Sequence, residues 1–284
     1  MTSAVKNIVA CLVVLAVAAV LALAVGHRGL ETPLLMFMAV AFGLQVAAFV
    51  PSYAAKTEGY YDLTGSISYI SVVVFALLWV GRFDVRSLLV AAMVGLWALR
   101  LGSFLFLRIR RAGSDSRFDE IKLDGWRFLM VWLLQGLWIS VTLLPVFMVM
   151  LLPAEPLSWW AAAGVLIWQA GFLLEIVADE QKRQFRKDND SGSFITSGVW
   201  AWSRHPNYCG EIVLWFGMSL IAVPLLHGWH WLALVSPLFV FVLLTKISGV
   251  NLLEAAAERR WGDNPAYRDY VRRTPVLWPR PPRY

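Results

Sequence analysis

A succession of long apolar runs, cut by short charged or Gly/Pro-marked breaks, constrains this 284-residue chain more than any other feature. The runs fall at residues 5–25, 34–50, 67–81, 87–107, 128–152, 157–177, 208–226 and 229–249. A hydrocarbon core of about 30 Å needs about 20 apolar residues in a helix rising 1.5 Å per residue, so runs of this length read as spans. Inside lipid the backbone must satisfy its own polar groups, which leaves the helix as the element for such segments. The chain is 59% hydrophobic and 15% charged, where soluble domains average about one quarter charged. The pattern predicts an all-α integral membrane protein, a bundle of about seven to eight transmembrane helices. The runs at 34–50 and 67–81 are short, so one of them is expected to be tilted, broken or partly buried. The first run resembles a signal h-region but is nearer a full span, and is read as a retained helix.

Charge placement predicts a topology. Three segments hold most of the 25 basic residues: six lie in 108–127, five in 182–204 and eight from Lys246 onward, whereas the turns at 153–156 and 227–228 hold none. Loops rich in Lys and Arg remain on the cytoplasmic side, which places both termini there. The formal net charge of +6 is then topological, and without a nucleic-acid-binding motif it does not point to DNA or RNA. The 15 tryptophans suit rings at the two bilayer interfaces. Cys11 and Cys209 lie in or beside apolar runs, which argues against a disulfide framework or thiolate metal site. His27, His205, His227 and His230 show no zinc-ligand spacing, so no metal is expected. No GxSxG elbow and no strand-borne GxGxxG occurs. No repeat, low-complexity tract or soluble stretch divides the chain, and 1–284 reads as one membrane domain.

The polar chemistry concentrates in residues 175–211. The segment LLEIVADEQKRQFRKDND begins as a membrane helix and runs into water, with Glu175 and Asp179 at i, i+4 on one face and Arg183 and Arg186 within two turns. A solvated helix end explains those charges equally well. The segment SGSFITSGVWAWSRHPNYCGE follows. Ser203 is a possible cap and Pro206 suits a first helical turn, so Arg204, His205 and Asn207 gather at a helix N-terminus, where backbone N–H groups favour an anionic ligand. Glu211 lies one turn deeper, and a carboxylate at membrane depth calls for a cavity and a partner. The tail NLLEAAAERRWGDNPAYRDYVRRTPVLWP places Glu254 and Glu258 at i, i+4 before Arg259, Arg260, Tyr267, Arg272 and Arg273, an amphipathic segment that by itself reads as a basic lipid anchor.

On WSRHPNYCGEIVLWFG and LLEAAAERRWGDNPAYRDYVRRTPVLWP, with KTEGYYDLTGSISYI and LRLGSFLFLRIRR upstream, the chain resembles the steroid 5α-reductase family, particularly its bacterial branch. The resemblance covers most of the chain after about Leu34, making 34–284 a family-like core and 1–33 an extra N-terminal transmembrane helix. Isoprenylcysteine carboxyl methyltransferases and Δ14- and Δ7-sterol reductases share the RHPNY-like turn and the Glu-plus-tyrosine tail. The resemblance implies a helix bundle whose cytoplasmic loops and C-terminal segment close a cavity for NADPH beside a lipid-accessible pocket, in a bacterial inner membrane. Asp179, Arg186, Asn207, Tyr208 and Glu211 match cofactor-holding positions. Arg183, Arg204, His205, Glu254, Tyr267 and Arg272 join them, and Arg100, Arg108 and Arg110 match a basic run ending another helix. Gln45 corresponds to a glutamine that precedes a catalytic glutamate, but Val46 follows here, and Trp97 stands where a carbonyl-contacting tyrosine is expected. Gln45 and Tyr61 are the candidates left for the catalytic end, although GYYDLTGS also fits an interfacial turn.

The chemistry implied is NADPH-dependent hydride transfer to the C=C bond of a lipophilic enone, such as a 3-oxo-Δ4 steroid or an isoprenoid lipid. It needs a donor on the carbonyl and exclusion of water. Arg183, Arg186, Lys187, Arg204, Arg272 and Arg273 form a surplus of cations that favours a dinucleotide with three phosphates. A membrane methyltransferase using S-adenosylmethionine on a lipid-like or prenyl substrate, and a lipid-binding protein without activity, are the alternatives.

Overall fold

The computed structural model describes residues 3–113, 115–189 and 192–282. Arg283 and the side chain of Arg111, both counted in the basic segments, lie outside this description. Every regular element among the described residues is helical. Seven helical segments are long and apolar enough to cross a membrane, and a bent pair is an eighth if it counts as one span. The helices group into two compact units: Met1–Ser158 with Ala222–Val235, and Trp159–Ile221 with Ser236–Tyr284.

The first unit holds α1 (Ser3–Val25), α2 (Glu31–Ala54), α3 (Tyr61–Val80), α4 (Val85–Ala112), α5 (Gly125–Thr142) and α6 (Leu144–Leu151). Helix α5 packs against α1 and α2, α2 against α3, and α3 against α4. The starts of α4 and α5 are capped by aspartates: Asp84 accepts from the N–H groups of Arg86 and Ser87, and Asp124 from those of Trp126 and Arg127. Gly81 ends α3 at φ 66°, a left-handed position that glycine takes without a Cβ clash.

The runs that looked short form full helices of 24 and 20 residues. The interruption falls instead inside 128–152, where α5 and α6 meet at 46°. Pro145 has no N–H to continue the ladder, and Thr142 Oγ1 bonds back to the carbonyls of Trp138 (2.8 Å) and Ile139 (3.1 Å). The open carbonyls at the end of α6 are met by Arg82, whose guanidinium donates to Met150 and Leu152.

The second unit holds α7 (Trp159–Asp188), α8 (Pro206–Ala222), α9 (Val235–Val242), a π-helical turn at Leu243–Ile247, α10 (Val250–Trp261) and α11 (Pro265–Arg273). Helices α7 and α8 touch backbone to backbone. A Cβ on Gly171 would lie 2.6 Å from Gly210 O and Leu214 N, and one on Gly164 would lie 2.6 Å from Gly217 O. The reciprocal holds for Gly210 against Gly171 O and for Gly217 against Gly164 O. Two glycines seven residues apart on each of two antiparallel helices therefore let the backbones meet. The run at 229–249 is not one regular helix: a 3₁₀ stretch precedes α9, and Gly249, whose Cβ would stand 2.2 Å from Leu244 O, closes the π turn.

Candidate functional site

The turn before α8 is organised by Ser203 and Glu254. Ser203 Oγ accepts from the His205 N–H (3.2 Å) and donates to Leu277 O (2.7 Å). The serine thus shapes the turn, and it is the His205 carbonyl that accepts the first bond of the helix, from Cys209 N–H (3.1 Å). Glu254, on α10, receives both neighbours: Arg204 Nη1 lies 2.5 Å from Oε2, and His205 Nε2 lies 2.7 Å from Oε1. The ring of His205 stacks on Tyr208 at 5.8 Å and 10°. Burial lowers the pKa of His205 below 6.5 and outweighs the opposing pull of Glu254, so the ring is neutral at pH 7. A neutral imidazole bonded through Nε2 to a carboxylate donates there, which makes Nδ1 a lone-pair acceptor. That Nδ1 is buried and has no partner, as is Arg204 Nε, a donor.

Asn207 sits in the first turn of α8, half-buried, with no side-chain hydrogen bond among the described residues. Glu175, Asp179 and Glu211 are buried around the α7–α8 crossing: a Cβ on Gly210 would lie 2.7 Å from Glu175 N, and Glu211 follows directly. The close backbone contact thus places acidic residues of both helices beside one crossing.

The remaining cations expected at this site are arranged otherwise. Arg183 bonds Glu180 (2.6 Å) one turn away, Arg272 pairs with Asp269, and Arg273 with the same aspartate (2.9 Å); all are exposed. Arg186 is exposed on α7. Tyr267 is buried and packs with Phe194 (5.3 Å) and Trp261 (5.9 Å), and Tyr270 donates to Trp200 O (2.8 Å), so the tail is tied to the 194–200 loop through aromatic rings. Burial raises the pKa of both tyrosines and keeps them protonated.

Arg100, Arg108, Gln45 and Tyr61 belong to the first unit. Arg100 lies over the Phe104 ring at 5.4 Å, and Arg108 is 3.5 Å from Asp62. The Tyr61 hydroxyl donates to Val131 O (3.1 Å), and its ring packs on Phe118 and Trp132, each at 5.1 Å. Gln45 is 0% exposed, whereas Val46 is 41% exposed, so the residue of this pair that faces inward is the glutamine. Gln45 Nε2 donates to Ser68 Oγ (2.9 Å), whose own hydrogen goes to Thr64 O (2.8 Å), leaving Gln45 Oε1 buried without a partner. That free atom is an acceptor, suited to a hydroxyl and unsuited to polarising a carbonyl.

Sequence reading missed Tyr69. Its hydroxyl lies 2.7 Å from Thr142 Oγ1, and its ring meets Trp97 edge-on at 4.9 Å and 89°. Thr142 Oγ1 also reaches the carbonyls of Trp138 and Ile139, and either hydroxyl can donate the bond between Tyr69 and Thr142. The available signal was a cluster of hydroxyls, SISY at 66–69, inside an otherwise apolar helix. The glycine pairs 164/171 and 210/217 were equally visible, as a spacing of seven on consecutive spans.

Comparison with known proteins places the chain. Residues 48–274 match the family described as "Protein of unknown function (DUF1295)". Over 110 residues, 38% of this chain and 37% of the relative, it is 34% identical to "Steroid 5-alpha-reductase DET2" of Gossypium hirsutum. The chain thus aligns with little more than a third of that protein's length. No solved structure matches. With most of its length inside the matched region and an all-helical, membrane-spanning fold, the chain belongs to the DUF1295 family and is a steroid 5α-reductase-like integral membrane protein.

Proposed function

We propose that the protein is an NADPH-dependent membrane reductase acting on the C=C bond of a lipophilic enone, with the turn 203–211 and Glu254 as its cofactor-holding group. The likeness to a steroid 5α-reductase motivates the reaction class. The observation that carries the site is the pair of orphaned buried atoms on adjacent residues: Arg204 Nε offers a donor and His205 Nδ1 an acceptor. A dinucleotide presents phosphate oxygens, ribose hydroxyls and a carboxamide, which are the complementary groups, so the residues fit it. When bound, NADPH supplies the hydride. Arg204 would hold an anionic oxygen, relieved of part of its attachment to Glu254, while Glu254 keeps His205 in the tautomer whose Nδ1 accepts. Asn207, free at the first turn of α8, would add an amide contact beside the helix N-terminus. Asp179, Arg186, Tyr208, Glu211, Tyr267 and Arg272 are assigned to the same group.

For the substrate end we assign Gln45 to a hydroxyl-bearing part of the substrate, because its free atom is an acceptor, and Tyr69 to the donor role beside Tyr61, its hydroxyl then accepting from Thr142 and donating to the substrate. The loops carrying Arg204 and Glu254, and both termini, are assigned to the cytoplasmic side, in keeping with the basic segments.

Titration of purified protein in detergent tests the reading. Saturable NADPH binding is expected, weakened about tenfold or more in Asn207→Ala and in His205→Ala through loss of a hydrogen bond to a bound polar group. Selective S-adenosylmethionine binding instead identifies a methyltransferase, and absence of affinity for either leaves the lipid-binding reading.

A further inference from the structure

A groove of about 290 Å³ in the second unit is lined by Phe241, Thr245, Lys246, Val276, Trp278 and Arg280. One wall is the end of α9 with its π turn, where Ser248 N–H reaches back five residues to Leu243 O (2.9 Å). The other wall is the segment 275–280, strapped to the turn before α8. Arg204 N–H donates to Pro275 O (2.9 Å), Ser203 Oγ to Leu277 O (2.7 Å) and Arg280 N–H to Trp202 O (3.0 Å). The walls are apolar, yet two cations stand on them: the side chains of Lys246 and Arg280 are exposed and make no ion pair or hydrogen bond among the described residues. The neighbouring arginines 204, 268, 272 and 273, by contrast, are all paired with carboxylates.

Depth supplies the second half of the argument. Residues 235–245 carry no charge and end at Lys246, so the groove lies where the apolar run gives way to polar chain. Trp202 and Trp278, 45% and 53% exposed, flank the strap as rings of an interfacial belt do. A neutral lipid would leave both cations unmatched, and a free nucleotide would leave the apolar walls uncovered. An anionic amphiphile satisfies both.

We propose that this groove binds an anionic phospholipid, with the headgroup phosphate between Lys246 and Arg280 and the first part of one acyl chain along Phe241, Val276 and Trp278. Its volume lies at the lower end of the ~300–1,000 Å³ of enclosed ligand pockets, enough for a chain segment and too small for a whole lipophilic substrate. The site is independent of the reductase reading.

The test uses the full-length protein in phosphatidylcholine nanodiscs doped with phosphatidylglycerol carrying brominated chains, which quench nearby tryptophan. Saturable quenching is expected to favour brominated phosphatidylglycerol over brominated phosphatidylcholine, with the responding emission lost in Trp278→Phe. Lys246→Ala or Arg280→Ala weakens the preference about fivefold and the pair about twentyfold or more, while Lys246→Arg with Arg280→Lys retains it. Equal quenching by the two lipids, or a preference that survives the double alanine variant, overturns the proposal. Displacement by millimolar inorganic pyrophosphate also overturns it, because the site then takes free phosphate.

Discussion

Glycines at helix-to-helix contacts differ between the two units. In the first unit, a Cβ on Gly65 would meet the Gln135 side chain, one on Gly102 that of Ser66, and one on Gly136 that of Phe42. In the second, the same addition at Gly164, Gly171, Gly210 or Gly217 meets backbone atoms of the facing helix at 2.5–2.7 Å. Side chains rotate; a helix backbone does not without moving the whole helix. At Gly65 and Gly136 the first unit therefore has slack, whereas the α7–α8 interface has none, and neither has Gly102, whose Cβ would stand 2.5 Å from Ser66 Cβ. The rigid interface is also the one beside which Glu175, Asp179 and Glu211 are buried, whereas the carboxylate buried in the first unit, Glu58, is held by the Asp115 N–H and by Lys122. Buried carboxylates need partners held at fixed distances, and backbone contact supplies that fixity.

Substituting those glycines tests this contrast most severely. Gly171→Leu is expected to abolish folding of the second unit, and Gly171→Ala to cost about 1–3 kcal/mol, whereas Gly136→Ala costs about 1 kcal/mol. Thermal unfolding in detergent measures both, and equal losses in the two units would erase the distinction. Next in size is Tyr69→Phe, expected to slow enone reduction on the order of 100-fold by removing a positioned donor while NADPH affinity stays unchanged. An unaltered rate would make the hydroxyls of the first unit helix-to-helix contacts only.

Glu254→Gln strips Arg204 and His205 of their shared carboxylate and is expected to cost about 2 kcal/mol, less than a fully enclosed ion pair because Glu254 is 29% exposed. The same variant is expected to weaken NADPH binding by loosening the His205 tautomer. The smallest effect is a pH dependence that separates the units. His205 has a native pKa below 6.5, so on acidification the unfolded state takes up the proton first and stability falls as pH drops below 6.5. Glu58, in the first unit, is raised by burial but lowered further by the Asp115 N–H and Lys122, to a net value below 4.5. Its contribution of about 1 kcal/mol is present above 4.5 and lost below it. Unfolding of His205→Asn is expected to lack the upper step and that of Glu58→Gln to show a smaller lower one, to which Asp84 and Asp115 also contribute; exchange of the two assignments would contradict the geometry.

The sequence was informative wherever a single helix decides the outcome. Apolar run length determined the spans, because the bilayer thickness converts directly into residues, and the motif WSRHPNYCGE marked the turn where Arg204, His205 and Asn207 do stand before and within the first turn of α8. It was less informative about what those side chains touch. Arg204 and His205 face Glu254 from a helix nearly fifty residues away in sequence, and Arg183 and Arg272 face aspartate or glutamate on their own helix. The bend inside 128–152 was not foreseen from the sequence, since a proline in a membrane helix breaks the axis without breaking the hydropathy.

What the residues alone determined is the class of the molecule: an all-helical membrane protein with a polar turn at the foot of a late span. Only the tertiary structure decided that Gln45 rather than Val46 faces inward, that Tyr69 meets Thr142 in a buried hydroxyl pair, and that Glu254 joins Arg204 to His205. Periodicity specifies which face of a helix is apolar, but in lipid both faces are apolar, so orientation is set by contacts with neighbours that no local pattern encodes.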